Sequence, residues 1–315
     1  MPRITADFGI TGPVEFLDVN VERDNLLFID PSAIRKAAHL GDRYAIEAGH
    51  RLTSYFDIVL AKILSTSATD HAKGEEILQH FQELGATRLG MSKTGYDGHG
   101  AAEKLGTAIW DELLANPLCM HAIATLKYIE DVPLFVDDID KDVTSDMTAR
   151  IILDVLGRFT AEMLLKHPEF TATRPTSTLR TDHWDASSES WMPTTISLPT
   201  ADGKPLLLVP RAFVNFKIQM TYGQYYSVPL LGYVKAEEMV QVRRGKSIVL
   251  RPRFTKKELK ETETYAQSRA NSIKQTVRIY EKDGTDLLGE YRTAQQTSFE
   301  ALSDDQIEFY LSRLP

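Results

Sequence analysis

The chain has 315 residues, 43% hydrophobic and 25% charged, enough for one large globular domain or two ordinary ones. Its net charge of −8 argues against a general polyanion binder, and its one cysteine, Cys119, excludes an internal disulfide and a thiolate zinc site. No stretch reaches the ~18 to 20 apolar residues of a membrane span, and Met1-Pro2-Arg3-Ile4-Thr5 lacks the apolar run of a signal peptide, so a cytoplasmic location is expected.

Residues 12–30 read as extended, ending in the apolar run Leu26-Leu27-Phe28-Ile29. Asp30-Pro31 then has the chemistry of a helix start, a capping carboxylate before a proline. Helical patterns follow at about 42–65, 72–84 and 101–115, and Leu52, Phe56, Val59, Leu60 and Ile63 form a core stripe. Between them, 88–100 is a glycine-rich loop. Gly90 and Gly95 have Walker A spacing, but Tyr96-Asp97 stands where Lys and Ser/Thr are needed, which excludes a P-loop. Ser92, Lys93, Thr94 and His99 remain as polar groups able to touch phosphate or substrate.

Residues 118–129 read as helix, Leu134-Phe135-Val136 as a short buried strand, and about 145–166 as a long helix. Residues 168–190, rich in Thr, Ser, Pro and Asp, read as a loop or linker. That places a boundary between halves 1–170 and 171–315, which are free to pack as one domain. Trp191–Leu198 and Pro205–Val209 read as a hairpin turning at Asp202-Gly203. Ser247–Leu250 is a short strand. Thr255-Lys256-Lys257-Glu258 is a capping box opening a helix to about 281, Asp283-Gly284 stops it, and Ser303 caps a last short helix. The fold class is mixed α+β: a helix-rich N-terminal half with short strands, a β-hairpin in the middle and a helical C-terminal region.

Several chemistries fail on spacing. The eight histidines form no His-x-x-x-His or His-Glu-x-x-His pair. Asp182 and His183 near Ser187 and Ser188 sketch a hydrolase triad, but no Gly-x-Ser-x-Gly elbow exists, and Trp184 and Trp191 read as hairpin packing.

Two charged regions stand out. The first is Asp137-Asp138-Ile139-Asp140-Lys141-Asp142-Val143-Thr144-Ser145-Asp146. Carboxylates this dense suit a hard divalent cation. An EF-hand is excluded, because Val143 and Ala149 stand where glycine and glutamate are required. The structural alternative is that Thr144 or Ser145 caps the helix, and that Asp146, Arg150, Asp154, Arg158, Glu162 and Lys166 form a solvated charge ladder beside a buried stripe of Met147, Ile151, Val155, Phe159 and Met163. The second region is basic. Between Arg243 and Lys260 eight cations face one acid, Glu258, so this window carries +7 and the rest of the chain −15.

Leu134–Ile139 followed by Asp142–Thr148, and Gly203–Pro210, resemble stretches of an uncharacterised bacterial protein family. The resemblance implies a bacterial-type cytosolic protein and transfers no functional residue.

Together these features lead to the expectation of a metal-dependent nuclease or phosphodiesterase, suited to a bacterial defence setting. Asp138, Asp142 and Asp146 would hold Mg²⁺ or Mn²⁺, and Lys93 or Lys217 would supply transition-state charge. Arg243, Arg244, Lys246, Arg251, Arg253, Lys256 and Lys257 would hold the strand. The expectation rests on charge distribution. The common nuclease Asp/Glu-x-Lys element is lacking, since Asp202-Gly203-Lys204 sits in a turn and Asn215-Phe216-Lys217 offers an amide. The alternative is a non-catalytic interaction subunit that docks a protein or nucleic acid through its charged patches.

Overall fold

The computed structural model describes residues 2–90, 99–116, 118, 126–137, 139–172 and 174–313. Fifteen α-helices in these residues are joined by short antiparallel strand pairs, which is a mixed α+β fold. The order begins α1 (Ile4–Phe8), β1 (Phe28–Ile29), α2 (Pro31–His39), α3 (Arg43–Leu64), α4 (Ala68–Leu78) and α5 (His99–Ala115). It continues with α6 (Val132–Phe135), α7 (Lys141–Ile151), α8 (Leu153–Lys166) and α9 (Glu169–Ala172). Next come β2 (Ser177–Asp185), β3 (Ser190–Leu198), β4 (Thr200–Ala201), β5 (Lys204–Pro205) and β6 (Val214–Asn215). The C-terminal part holds α10 (Tyr222–Tyr225), a π-helical turn at Tyr226–Leu230, α11 (Leu231–Glu237), β7 (Met239–Arg244) and β8 (Ser247–Pro252). It ends with α12 (Lys256–Lys260), α13 (Arg269–Asp283), α14 (Leu287–Ser298) and α15 (Asp304–Ser312).

Local signals account for many of these ends. Asp30 accepts from the Ser32 N–H at 2.9 Å, with Pro31 in the first turn of α2. Thr255 with Glu258, and Ser303 with Gln306, close reciprocal capping boxes. Gly284 ends α13 in the left-handed region at φ +79°. The stripe of α3 is buried, as are Met147, Ile151, Val155, Phe159 and Met163. One hydrophobic core runs from Ile4 to Leu311 and draws on both sides of residue 170. A smaller core around Tyr226, Leu231, Leu259 and Ile279 holds the C-terminal helices.

Five expectations are corrected. The helix opened at Thr255 does not run on to about 281: it ends at Lys260, and Arg269–Asp283 form a separate helix with its own cap at Ser268. Leu134-Phe135 is helical in α6, because a run of so few apolar residues fits either period once it is buried. Residues 177–185 are not linker but strand β2, paired along its length with β3 from Ser177↔Leu198 to Asp185↔Ser190. Their Ser, Thr and Asp side chains are half-buried or, at Thr178, exposed, while Trp184 points into the core and meets its cross-strand partner Trp191 at 5.8 Å between ring centroids. Pro205–Val209 is therefore not the partner of Trp191–Leu198. Asp202-Gly203 does turn, but between the two-residue strands β4 and β5. The charge ladder is also broken. The helix resets at Ile152, downstream of Thr148, which bonds back to the Thr144 carbonyl, a contact that bends helices. Arg150 is buried and donates to the His80 carbonyl and Thr181 Oγ1. Only the later rungs, Arg158–Asp154 at 3.5 Å and Lys166–Glu162 at 3.1 Å, form as expected. The 118–129 helix falls mostly outside the described residues.

A buried ion network joins the C-terminal helices to the body. Arg292 of α14 donates to Asp131 at 2.9 Å, and Arg35 of α2 pairs with Glu130. Tyr128 presents its ring to both guanidiniums, at 3.8 Å from Arg35 and 5.3 Å from Arg292. Burial pushes the Asp131 carboxyl up to about 6 despite Arg292, and pushes Asp30 up to about 7 despite its Ser32 cap.

Helices α4 and α5 approach so closely that a Cβ at Gly106 would overlap the Leu78 carbonyl, whereas a Cβ at Gly49 within α3 would meet nothing within 4 Å. Gly106→Ala is expected to lower the urea midpoint by the equivalent of about 1–3 kcal/mol. Gly49→Ala is expected to raise it by the equivalent of about 0.5–1 kcal/mol. Equal effects at the two sites would contradict the close crossing.

Candidate functional site

The acidic junction is built by the start of α7. Asp140 is its N-cap, and its Oδ1 accepts from the N–H groups of Asp142 and Val143 at 2.9 and 3.1 Å. Thr144 and Ser145 do not cap. Thr144 Oγ1 donates to the Asp140 carbonyl, and Ser145 Oγ accepts the Ile29 N–H at 2.9 Å, which ties α7 to β1. Asp137 is drawn away into an ion pair with Arg269 of α13.

Asp142 and Asp146, one turn apart on α7, share a face. Asp142 lies against Gly90, where an added Cβ would come within 2.7 Å of Oδ1, and Gly90 has φ +105°. A buried amide positions that backbone: Asn25 Nδ2 donates to the Arg88 carbonyl at 2.8 Å, and the Gly90 N–H returns to the carbonyls of Asn25 and Leu27. Asp146 keeps part of its surface open, yet protein surrounds most of it. Burial first, then the like charges of Asp142, Glu83, Asp140 and Asp24, push its carboxyl up to about 8. Asp24 and Glu83 also line an open depression of about 590 Å³ with Arg23, Arg88, Asp202 and Lys204. Neither was legible beforehand, because they lie far from residue 146 in the chain and belong to no motif.

The predicted site residues divide accordingly. Lys93 and Asp138 lie outside the described residues, as do Ser92, Thr94 and the side chain of His99. Asp142 and Asp146 are brought together. Lys217 is exposed and rests on the Phe216 ring, which stacks on Tyr310 of α15, and it forms an ion pair with neither aspartate. Among the described residues no three His, Cys, Asp or Glu side chains gather closely enough to hold a metal ion. What these residues do provide is a carboxyl whose burial and like-charged neighbours favour its protonated form. The triad sketched from Asp182, His183 and the serines does not assemble. Ser188 Oγ donates to Asp185 at 2.7 Å in the β2–β3 turn, and His183 Nδ1 faces the Met192 carbonyl.

The basic segment forms a projecting ribbon. Val240, Val242, Ile248 and Val249 favour strand, and Gly245 at φ +65° takes the first place of a two-residue turn. Every residue of β7 is exposed, and only Val249 and Pro252 of β8 are half-buried. The ribbon meets the body at its base, where β8 touches α11. The register sorts its side chains into two faces. Gln241 opposite Leu250 and Arg243 opposite Ile248 lie on one, and Val240 opposite Arg251 and Arg244 beside Ser247 lie on the other. Lys246 stands at the tip. Arg243, Arg244, Lys246 and Arg251 have no ion-pair partner among the described residues. The remaining cations differ: Arg253 approaches Glu238 at 3.8 Å, and Lys256 donates to the Ser227 carbonyl, bracing the π-helical turn. Lys257 is exposed on α12.

A family model described as a domain of unknown function, DUF8370, matches residues 11–221. The chain belongs to that family. No curated protein and no solved structure matches it. The DUF8370 region contains the whole acidic site, and the ribbon follows it in the chain. No helix among the described residues is long and apolar enough to cross a membrane.

Because the Asp146 carboxyl is raised in the fold, its contribution to stability is complete below its unfolded value near 3.8 and is lost as pH rises through about 8. Asp146→Asn is therefore expected to leave the thermal midpoint unchanged at pH 4 and to raise it by several degrees at pH 9, measured with EDTA present. An equal midpoint for both proteins at pH 9 would remove the electrostatic account of this site.

Proposed function

We propose that this DUF8370 protein is a nucleic-acid-binding interaction subunit, acting in the cytoplasm through the β7–β8 ribbon. The observation that carries the reading is the ribbon itself, on which four cations without an ion-pair partner among the described residues, and no carboxylate, project from an otherwise acidic protein. Cations free of internal partners are available to displace phosphate counterions, and that release is the main source of sequence-independent affinity. The test is fluorescence anisotropy with labelled nucleic acids over a salt series. Arg243→Ala/Arg244→Ala/Arg251→Ala is expected to weaken binding at least about tenfold and to flatten the salt slope by about two to three. Unchanged affinity in that variant would refute the assignment.

A second reading, metal-dependent phosphodiester cleavage, is favoured by one feature, the convergence of like charge on Asp146. A Mg²⁺ or Mn²⁺ ion beside Asp142 and Asp146 would relieve that repulsion and activate water. DNA and RNA incubated with Mg²⁺, Mn²⁺ or EDTA would decide it. Cleavage that needs metal and disappears in a folded Asp142→Ala/Asp146→Asn variant supports hydrolysis, with the ribbon as its grip. Absence of cleavage leaves binding as the activity.

A further inference from the structure

We infer that the ribbon takes double-stranded B-form DNA and enters its major groove, an assignment that rests on the nucleic-acid reading above. The ribbon has the dimensions for this. Six residues per strand span about 20 Å at roughly 3.3 Å each, and two strands lie about 4.8 Å apart. The major groove, about 12 Å wide, admits a two-stranded β-ribbon.

The chemistry selects among nucleic acids. Cations lie on both faces and at the tip: Arg243 on one face, Arg244 and Arg251 on the other, Lys246 at the end. With the face of Ile248 and Leu250 turned to the groove floor, the long side chain of Arg243 reaches sideways from that face to one phosphate wall, and those of Arg244 and Arg251 reach around the ribbon's edges from the other face. The side chains between the cations are aliphatic, with Ile248 67% and Leu250 63% exposed. Apolar groups of this kind match the thymine methyl groups on the major-groove floor. Single strands are held by aromatic platforms that stack on bases, and residues 239–252 contain no aromatic. Duplex RNA is excluded on shape, since its major groove is too deep and narrow to be read by side chains. Covering the same aliphatic residues also favours binding. A lone two-stranded hairpin is marginal in water, and a groove that covers it removes that apolar surface from solvent.

The experiment compares labelled duplex DNA, single-stranded DNA of the same sequence and duplex RNA, with sedimentation velocity of the protein alone. Duplex DNA is expected to bind about tenfold more tightly than either other ligand. Ile248→Ser/Leu250→Ser is expected to remove most of that preference with the salt slope unchanged, while Arg243→Ala/Arg244→Ala lowers the slope by about two. Equal or tighter binding of single-stranded DNA or duplex RNA overturns the groove assignment and leaves nucleic-acid binding standing. No binding of any ligand overturns both. A dimer that Ile248→Ser/Leu250→Ser dissociates, with duplex affinity unaffected, would show that a second copy of the chain covers the apolar residues, and it also overturns the assignment.

Discussion

The buried pair between Asp131 and Arg292 is the contact on which the arrangement of the two charged regions depends. Both groups are desolvated, and removing one partner of such a pair costs roughly 3–5 kcal/mol because the other keeps a buried charge without its counter-ion. Arg292 anchors α14 to the segment before α6, and the Arg269–Asp137 pair holds α13 to the segment just after it. The small second core then packs α11, α12 and α13 together, and the ribbon emerges from α11. The ribbon thus leaves the body at a place set by ion pairs inside it.

The charge distribution gains physical meaning from this geometry. The chain outside the basic window carries −15, a field that repels phosphate. At physiological ionic strength that field decays over about 8 Å. A ribbon of roughly 20 Å carries its outer cations past the decay length. The net charge of the whole chain therefore says little about what the ribbon meets.

The acidic site is a place of electrostatic cost. Four carboxylates press on Asp146, while Asp140 is committed to its helix cap and Asp137 to Arg269. Lys141 is near but points its ammonium at the Phe28 ring, 4.4 Å from its centroid. Asp30 is a second costly carboxyl, buried where β1 gives way to α2, and it serves as that helix's cap. The two sit at opposite ends of one strand–helix contact, since Ser145, beside Asp146, binds the backbone of Ile29, beside Asp30.

The sequence by itself determined the features whose cause is local. Capping residues named the starts of α2, α12 and α15, Gly284 the end of α13, and helical periodicity the buried faces of α3 and α8, because these depend on neighbours within a turn or two. The clustering of cations between Arg243 and Lys260 was equally plain. What tertiary structure decided were the pairings. Strand β2, which carries Ser177, Thr178 and Thr181, is a strand because β3 supplies its hydrogen bonds, α7 and α8 pack against it, and Tyr55 of α3 meets Trp184. Asp24 and Glu83 reach Asp146, and Arg150 turns inward, only because distant segments fold there. The basic run became a ribbon whose four cations have no ion-pair partner among the described residues, followed by Arg253 near Glu238 and Lys256 held to the Ser227 carbonyl, a division set by which residues lie beyond the reach of α11 and the π-helical turn. Burial and like-charge repulsion act through space, so a linear pattern does not encode them until the chain has closed on itself.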